Sequence, residues 1–226
     1  MIEFLFLDLD DTILDFHKAE RIALSKTLRS FGIDPTEEVL GRYHVINKSC
    51  WERLEKGELT RDQVVVRRYE LLFEELGMDC DAAAVTELYT ENLAIGHYFL
   101  PGAEEAVKAL SRKYRLFLAS NGTASVQAGR MTSAGLYPYF EKVYVSQEIG
   151  HNKPSIEYFE KCFAQIPDFD KSKAMMVGDS LTSDIQGGIN AGIRTCWVNP
   201  DHKTGQIKAD YEIEYLSQLE ALLETL

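Results

Sequence analysis

The chain has 226 residues, of which 45% are hydrophobic and 27% charged, and its formal net charge is −12. This length exceeds one average domain of about 100–150 residues but falls short of two comfortable ones, so we expect one core with an inserted module. The acidic balance argues against a nucleic-acid polymer as partner, because binding its backbone relies on clustered Lys and Arg. A small phosphorylated ligand stays possible, since local charge in a pocket can oppose the global sign.

Hydropathy and cysteine usage predict the cellular compartment of the protein. No apolar run approaches the roughly 18 residues that a membrane span needs. The N-terminal segment lacks a basic lead-in and turns acidic within ten residues, unlike a secretory signal peptide. The four cysteines are widely spaced without CxxC or CxxH patterns, so neither a zinc site nor a disulfide framework is indicated. We therefore expect a cytoplasmic protein without membrane association.

Short apolar runs alternate with helical patterns along most of the chain. Strands are predicted at 3–8, 115–120, 142–146, 174–179 and 194–199, with a short sixth one at 210–213. The intervening helical stretches are GAEEAVKALSRKY, TASVQAGRMTSAG, KPSIEYFEKCFAQI and TSDIQGGINAG. This alternation predicts an α/β fold with a doubly wound, Rossmann-like parallel sheet, whose ligands bind beyond the carboxyl ends of the strands. The segment GGINAG falls inside a helical pattern, so it indicates close helix packing rather than a dinucleotide loop.

The alternation fails between about Phe16 and Tyr98, where only helical patterns occur. Asp34, directly before a proline, is a candidate helix N-cap, and Thr60 with Gln63 forms a candidate capping box. We therefore predict an all-helical insertion after the first strand. The predicted boundaries are 1–15 and 99–226 for the α/β core and 16–98 for the helical module.

Three carboxylates, Asp8, Asp10 and Asp11, follow the first strand in FLFLDLDDTILDF. Such a cluster is costly unless a positive charge lies among them, because each carboxylate raises the pKa of its neighbours. Magnesium prefers a few carboxylate oxygens and keeps other positions for water and phosphate. A solvated acidic turn is the alternative on this stretch alone.

Other polar residues follow the remaining strands. They are Ser120, Asn121 and Gly122 after the second strand, Lys153 after the third, and Asp179 with Asp184 after the fourth. Because the carboxyl ends of parallel strands share one edge of the sheet, we expect these side chains to converge there. Taken singly, each also fits a structural role, such as an N-cap for Ser120 or a solvated loop cation for Lys153.

In chain order these segments read DLDDT, LASNG, NKP and GDSLTSD. The sequence resembles the haloacid dehalogenase-like hydrolase superfamily, whose four motifs run DxDxT, then Ser or Thr after an apolar strand, then Lys, then GDxxxxD. The resemblance covers essentially the whole chain. It implies that Asp8 is a nucleophile that forms an aspartyl phosphate and that Asp10 is the general acid/base.

The resemblance also implies the other roles at the site. Mg²⁺ would be held by Asp8, by the backbone carbonyl of Asp10 and by Asp179, while Asp184 would orient Lys153 or a metal-bound water. Phosphoryl oxygens would be bound by a second group of residues, namely Ser120, the amides of Asn121 and Gly122, and the positive charge of Lys153.

Asp10 separates the reaction types within the family. Dehalogenases of the family lack this second carboxylate, because a halide leaves without a proton, so its presence indicates phosphate ester chemistry. A phosphonate-cleaving relative would need a lysine in the helical module able to form a Schiff base, for which Lys48 and Lys56 are the candidates. A broad-specificity sugar-phosphate phosphatase or a sugar phosphomutase stays open, since both share the four motifs.

The helical module occupies the position of the family's C1 cap. Its segment YHVINKSCWERLEKGELT, with SNGT and VSQEIGHNKP, resembles the pyrimidine 5′-nucleotidase branch. This implies a nucleoside monophosphate as substrate. Phe16, Tyr43 and Trp51 are candidates to stack on its base, and Asn47 and Lys48 are candidates to hydrogen-bond to it. Tyr43 and Trp51 in an amphipathic helix are also typical of a packed core.

The non-enzyme alternative is a phosphate-binding regulatory module. A receiver domain also gathers acidic residues, a hydroxyl residue and a lysine at parallel strand ends. It is much shorter, lacks a helical insertion after its first strand and needs no acid/base two residues beyond its nucleophile. The presence of Asp10 and of the insertion therefore favours an enzyme.

Overall fold

Six parallel strands form one sheet in the order β3-β2-β1-β4-β5-β6. They are β1 (Phe4–Leu7), β2 (Arg115–Ser120), β3 (Lys142–Val145), β4 (Ala174–Gly178), β5 (Arg194–Val198) and β6 (Tyr211–Ile213). All six predicted strands are confirmed, and each predicted end lies within one residue of the observed end. The strand order reverses at β1, which pairs with both β2 and β4. In a doubly wound sheet, this reversal opens a crevice at the carboxyl ends of the central strands.

Alternate side chains of the strands supply two separate cores. Leu5 and Leu7 of β1 join one core, and Phe4 and Phe6 join the other. The first core includes residues of α5 (Ala103–Leu110), α6 (Ala124–Ser133) and α10 (Leu219–Leu223), and the second includes residues of α8 (Ile156–Phe163) and α9 (Gln186–Ala191). A short helix, α7 (Ser146–Ile149), follows β3. Helices thus cover both faces of the sheet, which confirms the doubly wound α/β prediction.

The computed structural model describes residues 1–226, which divide into two compact units of residues 1–16 with 97–226 and of residues 17–96. We call them the core unit and the helical unit. The helical unit is built from α1 (Phe16–Ser30), which begins at the last residue of the first core-unit segment, α2 (Glu37–Glu55), α3 (Arg61–Leu76) and α4 (Ala82–Ala94). No strand occurs in it.

Helix capping follows the sequence in one case and departs from it in another. Thr60 and Gln63 form the predicted capping box at the start of α3. The predicted N-cap at Asp34 is wrong, because α2 is capped by Thr36, whose hydroxyl accepts a hydrogen bond from the amide of Val39. The backbone carbonyl of Asp34 instead accepts a hydrogen bond from the amide of Thr36 in a turn that precedes the helix.

A buried arginine organises the interior of the helical unit. The guanidinium carbon of Arg68 lies 5.8, 5.2 and 4.9 Å from the ring centroids of Tyr43, Tyr69 and Tyr89. The hydroxyl of Tyr43 donates to the hydroxyl of Tyr69 at 3.0 Å. Cation–π contacts of this kind are strongest away from water, so the three rings stabilise a charge that burial would otherwise penalise.

All four cysteines are free thiols, as their spacing predicts. No helix has both the length and the apolar character that crossing a membrane requires.

Two adjacent glycines allow α9 to pack closely on the core unit. A Cβ at Gly188 would lie 2.6 Å from Cγ2 of Thr195, and one at Gly187 would lie 2.7 Å from Cε2 of Phe159. The close-packing interpretation of GGINAG is therefore confirmed.

We expect Gly188→Ala to destabilise the protein by about 1–3 kcal/mol, because the added methyl overpacks a filled core. Thermal or urea unfolding measures the change. Gly41→Ala is the matched control, since a Cβ there meets no atom within 4 Å inside α2, and it should leave stability unchanged or raise it by about 0.5–1 kcal/mol. Equal unfolding midpoints for wild type and Gly188→Ala would contradict the packing argument.

Candidate active site

The buried ammonium group of Lys153 joins three segments of the core unit. Its Nζ donates to Oδ1 of Asp8, to Oδ1 of Asp184 and to the carbonyl oxygen of Ala119, each at 2.6 Å. An ammonium group has three hydrogens, so its donors are fully used. The structure thus brings Asp8, Lys153 and Asp184 together at the carboxyl edge of the sheet.

Asn121 fixes the backbone that carries Lys153. Its Oδ1 accepts from the amide of Lys153 and its Nδ2 donates to the carbonyl of Lys153, both at 2.9 Å. The sequence predicted that Asn121 would act through its backbone amide, and the structure adds this clamp by its side chain.

Asp184 is placed by an irregular turn and by a glycine. It lies in a π-helical turn, Leu181–Ile185, and its Oδ2 accepts from the amide of Ser180 at 3.1 Å. A Cβ at Gly178 would lie 2.2 Å from the same Oδ2. The glycine of GDSLTSD is therefore required by the close approach of the Asp184 carboxylate to the end of β4.

Carboxylate oxygens of Asp8, Asp179 and Asp184 lie within 4.8 Å of one another. Burial raises the pKa of Asp8 to about 8; Lys153 opposes this shift, and Asp184 and Asp10 add to it. Burial also raises the pKa of Asp179 well above its usual value, and the neighbouring carboxylates Asp184, Asp8 and Asp11 add to the effect. Burial alone would lower the pKa of Lys153, but Asp184 and Asp8 outweigh it, so this side chain stays charged.

This donor set fits a divalent cation. Hard oxygen ligands from a few carboxylates suit Mg²⁺, and a cation among them would favour their ionised forms. Trp197 also fixes the residue after β4, because its Nε1 donates to the carbonyl of Asp179 at 2.8 Å.

Ser120 ends β2 with its hydroxyl turned into a hydrogen-bond network. Its Oγ accepts from the amide of Gly122 at 3.0 Å and from Nε2 of Gln127 at 2.7 Å. Because two donors already reach this oxygen, its own hydrogen is the group left to donate. A phosphoryl oxygen is a suitable acceptor for it.

Two residues of α6 that the sequence analysis did not single out hold Asp10. Nε2 of Gln127 donates to Oδ2 of Asp10 at 2.7 Å, and Nη1 of Arg130 forms an ion pair with Oδ1 of Asp10. Gln127 is 1% exposed and Arg130 is fully buried. The available signal was the pattern of α6, because Val126, Gln127, Arg130 and Met131 share its buried face and two of these four are polar.

The predicted substrate residues divide between the units. Phe16 belongs to the core unit, where its ring centroid lies 5.6 Å from the guanidinium carbon of Arg130. Asn47, Lys48 and Trp51 lie on α2 of the helical unit, with Asn47 buried, Lys48 exposed and Trp51 half-buried.

Asn47 is engaged at both ends of its amide within the helical unit. Its Nδ2 donates to Oε1 of Glu20 at 2.6 Å, and its Oδ1 accepts from Nε1 of Trp51 and from Nη1 of Arg68, both at 3.0 Å. Glu20 also meets Nδ1 of His44 at 2.9 Å. Asn47 therefore has a structural role within the helical unit, which the sequence analysis did not predict.

Similarity to known proteins identifies the family of the chain. The model of the haloacid dehalogenase-like hydrolase family matches residues 5–198. The chain belongs to this family, which confirms the resemblance of its four motifs.

Several relatives match over nearly the whole chain. Pyrimidine 5′-nucleotidase PynA of Streptococcus pneumoniae is 38% identical over 221 residues, covering 97% of this chain and 93% of that protein. Pyrimidine 5′-nucleotidase YjjG of Escherichia coli is 30% identical over 223 residues, covering 98% and 97%. Putative HAD-hydrolase YfnB of Bacillus subtilis has a crystal structure bound to magnesium that superposes with a TM-score of 0.95 at 38% identity, covering 99% of both chains.

We expect Lys153→Met to destabilise the protein by about 3–5 kcal/mol, because it leaves two buried carboxylates without their shared cation. Urea unfolding in metal-free buffer measures the loss. The double variant Lys153→Met/Asp184→Asn removes one of the two charges, so it should be more stable than Lys153→Met alone. If the second substitution lowers stability further, the two side chains do not interact as described.

Proposed function

We propose that the protein is a Mg²⁺-dependent phosphomonoester hydrolase that acts through an aspartyl phosphate on Asp8, and that its substrates are pyrimidine nucleoside 5′-monophosphates. The observation that carries the proposal is the placement of Asp8 between the cation of Lys153 and the other carboxylates at one edge of the sheet. Hydrolysis of a phosphate ester needs these groups together: a nucleophile, a positive charge for the phosphoryl oxygens and an acid/base.

In the first step, a carboxylate oxygen of Asp8 forms a bond to phosphorus while the bond between phosphorus and the ester oxygen breaks. Asp10 gives its proton to the departing oxygen, so that the nucleoside leaves as a neutral alcohol. The hydroxyl of Ser120 donates to a phosphoryl oxygen, and the positive charge of Lys153 stabilises the phosphoryl group during the transfer.

In the second step, water attacks the phosphorus of the aspartyl phosphate. Asp10 accepts a proton from that water, the bond from Asp8 to phosphorus breaks, and inorganic phosphate is released. The side chain of Asp10 is 28% exposed, so water can reach it.

Asp8, Asp179 and the backbone carbonyl of Asp10 are the proposed Mg²⁺ ligands, and Asp184 is proposed to orient Lys153. The chemistry that a bound Mg²⁺ supplies here is screening of the repulsion between the anionic nucleophile and the anionic phosphate. The magnesium-bound structure of YfnB supports this choice of metal.

The names of PynA and YjjG support the substrate class, because both relatives match this chain over nearly its full length. Phe16, Lys48 and Trp51 stay predicted contacts for the base. Asn47 is proposed to act with Trp51, to which it is hydrogen-bonded.

The test of this function is phosphate release with Mg²⁺ across pyrimidine and purine nucleoside monophosphates, sugar phosphates and an aryl phosphate. We expect the highest kcat/KM for dUMP, dTMP or UMP. Asp8→Asn is the control for contaminating phosphatases, and it should lose activity by several orders of magnitude while its thermal midpoint shows a folded protein. Turnover of sugar phosphates alone would discard the nucleotidase assignment, and no turnover of any ester would overturn the hydrolase proposal.

We expect Mg²⁺ to raise the thermal midpoint of the wild type, because a ligand that binds only the folded state stabilises it by about 2.7 kcal/mol at a hundred times its Kd. Asp179→Asn should remove most of this shift. Glu160→Gln, which changes an exposed carboxylate on α8, should retain it. An undiminished shift in Asp179→Asn would exclude Asp179 from the metal ligands.

A further inference from the structure

We propose that Gln127 and Arg130 are positioning residues that fix the carboxyl group of Asp10 for proton transfer to the leaving group, and that Gln127 couples this group to Ser120. The inference rests on the proposed function, since it takes Asp10 as the acid/base. It adds two residues of α6 that lie outside the four motifs.

The two residues hold both oxygens of one carboxyl group. Arg130 pairs with Oδ1 of Asp10, and Nε2 of Gln127 donates to Oδ2 at 2.7 Å. They are three positions apart in α6, so their side chains project from the same face of the helix. A carboxyl group held at both oxygens has a fixed plane, which a proton donor needs in order to meet a leaving oxygen in line.

Gln127 also connects Asp10 to the phosphate-binding hydroxyl. The same Nε2 donates to Oγ of Ser120 at 2.7 Å. Oε1 of Gln127 is buried and has no hydrogen-bond partner. A buried carbonyl oxygen without a partner is unfavourable. The hydrogen bonds from Nε2 to its two acceptors, Asp10 and Ser120, therefore determine how this amide is oriented.

Burial restrains both donors. Gln127 is 1% exposed and Arg130 is fully buried. The buried guanidinium of Arg130 donates from Nη1 to Oδ1 of Asp10, and its carbon lies 5.6 Å from the ring centroid of Phe16. Asp10 lies on a loop, so the position of its carboxyl group is fixed by α6, a helix packed against the sheet.

The absence of a side chain at Gly122 leaves the space that the Gln127 amide occupies. A Cβ at Gly122 would lie 2.4 Å from Nε2 and 2.7 Å from Cδ of Gln127. Gly122→Ala should therefore displace the Gln127 amide while both α6 side chains remain present. This variant perturbs the contact to Asp10 indirectly and tests the geometry separately from the chemistry of residues 127 and 130.

General acid catalysis distinguishes positioning of Asp10 from a merely structural role. A nucleoside leaves as a strongly basic alkoxide unless it is protonated, whereas a nitrophenolate leaves without a proton. Misplacing Asp10 therefore slows hydrolysis of a nucleoside monophosphate much more than hydrolysis of p-nitrophenyl phosphate. The value of kcat/KM reports the step that breaks the ester, so a slow second step does not obscure the difference.

The experiment compares kcat/KM for dUMP and for p-nitrophenyl phosphate, both with Mg²⁺. In Gln127→Leu, Arg130→Met and Gly122→Ala, we expect the ratio of the two values to fall at least about tenfold, toward the ratio of Asp10→Asn. In the Asp10→Asn background, Gln127→Leu should change the ratio no further, because it acts through Asp10.

Arg115→Met is the matched control. Arg115 also forms an arginine–carboxylate pair, with Glu141 at 2.7 Å, and its guanidinium carbon lies 5.1 Å from the ring centroid of Phe4, but it begins β2 at the end opposite Ser120. It should leave the ratio unchanged.

Equal losses on both substrates, or no loss on either, in folded Gln127→Leu and Gly122→Ala would overturn the positioning role. Should Arg130→Met fail to fold, these two variants decide the question. A wild type that cleaves neither ester is a different result, because it refutes the proposed function itself.

Discussion

The arrangement of the site depends on one buried ammonium group. Lys153 is 1% exposed and meets Asp8, Asp184 and the carbonyl of Ala119. A charge removed from water is tolerated only when it is paired and hydrogen-bonded, so these groups must converge for the fold to be stable. Asp8 follows β1, Ala119 is the penultimate residue of β2, and Asp184 follows β4. The three hydrogen bonds of this ammonium group therefore fix the relative positions of these strand ends.

Steric constraints also determine which residues fit at this edge of the sheet. The Asp184 side chain approaches the end of β4 so closely that there is no room for a methyl group at Gly178. The Gln127 side chain likewise leaves no room for one at Gly122. Glycine is required at both positions because side chains from other parts of the chain pack against the backbone there. A motif such as GDSLTSD therefore records a tertiary contact as well as a set of functional groups.

The strands and the converging polar residues could be predicted because apolar runs and strand-end positions are local features of the sequence. The capping of α2 was harder, because Asp34 and Thr36 both suit an N-cap and only the path of the chain selects between them. Gln127 and Arg130 were missed because a helix that covers a sheet is expected to face it with apolar side chains. Their partner, Asp10, is more than a hundred residues away in sequence, as the contacts across 117 and 120 positions show.

The spacing of Asp8 and Asp10 gives the two carboxylates different surroundings. Asp8 is 7% exposed and shares the Lys153 ammonium with Asp184, whereas Asp10, with a side chain 28% exposed, lies against Arg130 and Gln127 of α6. In an extended segment, residues two apart point the same way. The chain turns immediately afterwards, since Asp11 has a φ of 55° and its amide donates to the carbonyl of Leu14. Two identical side chains thus have different partners, and this difference is what the proposed division of roles between a nucleophile and an acid/base requires.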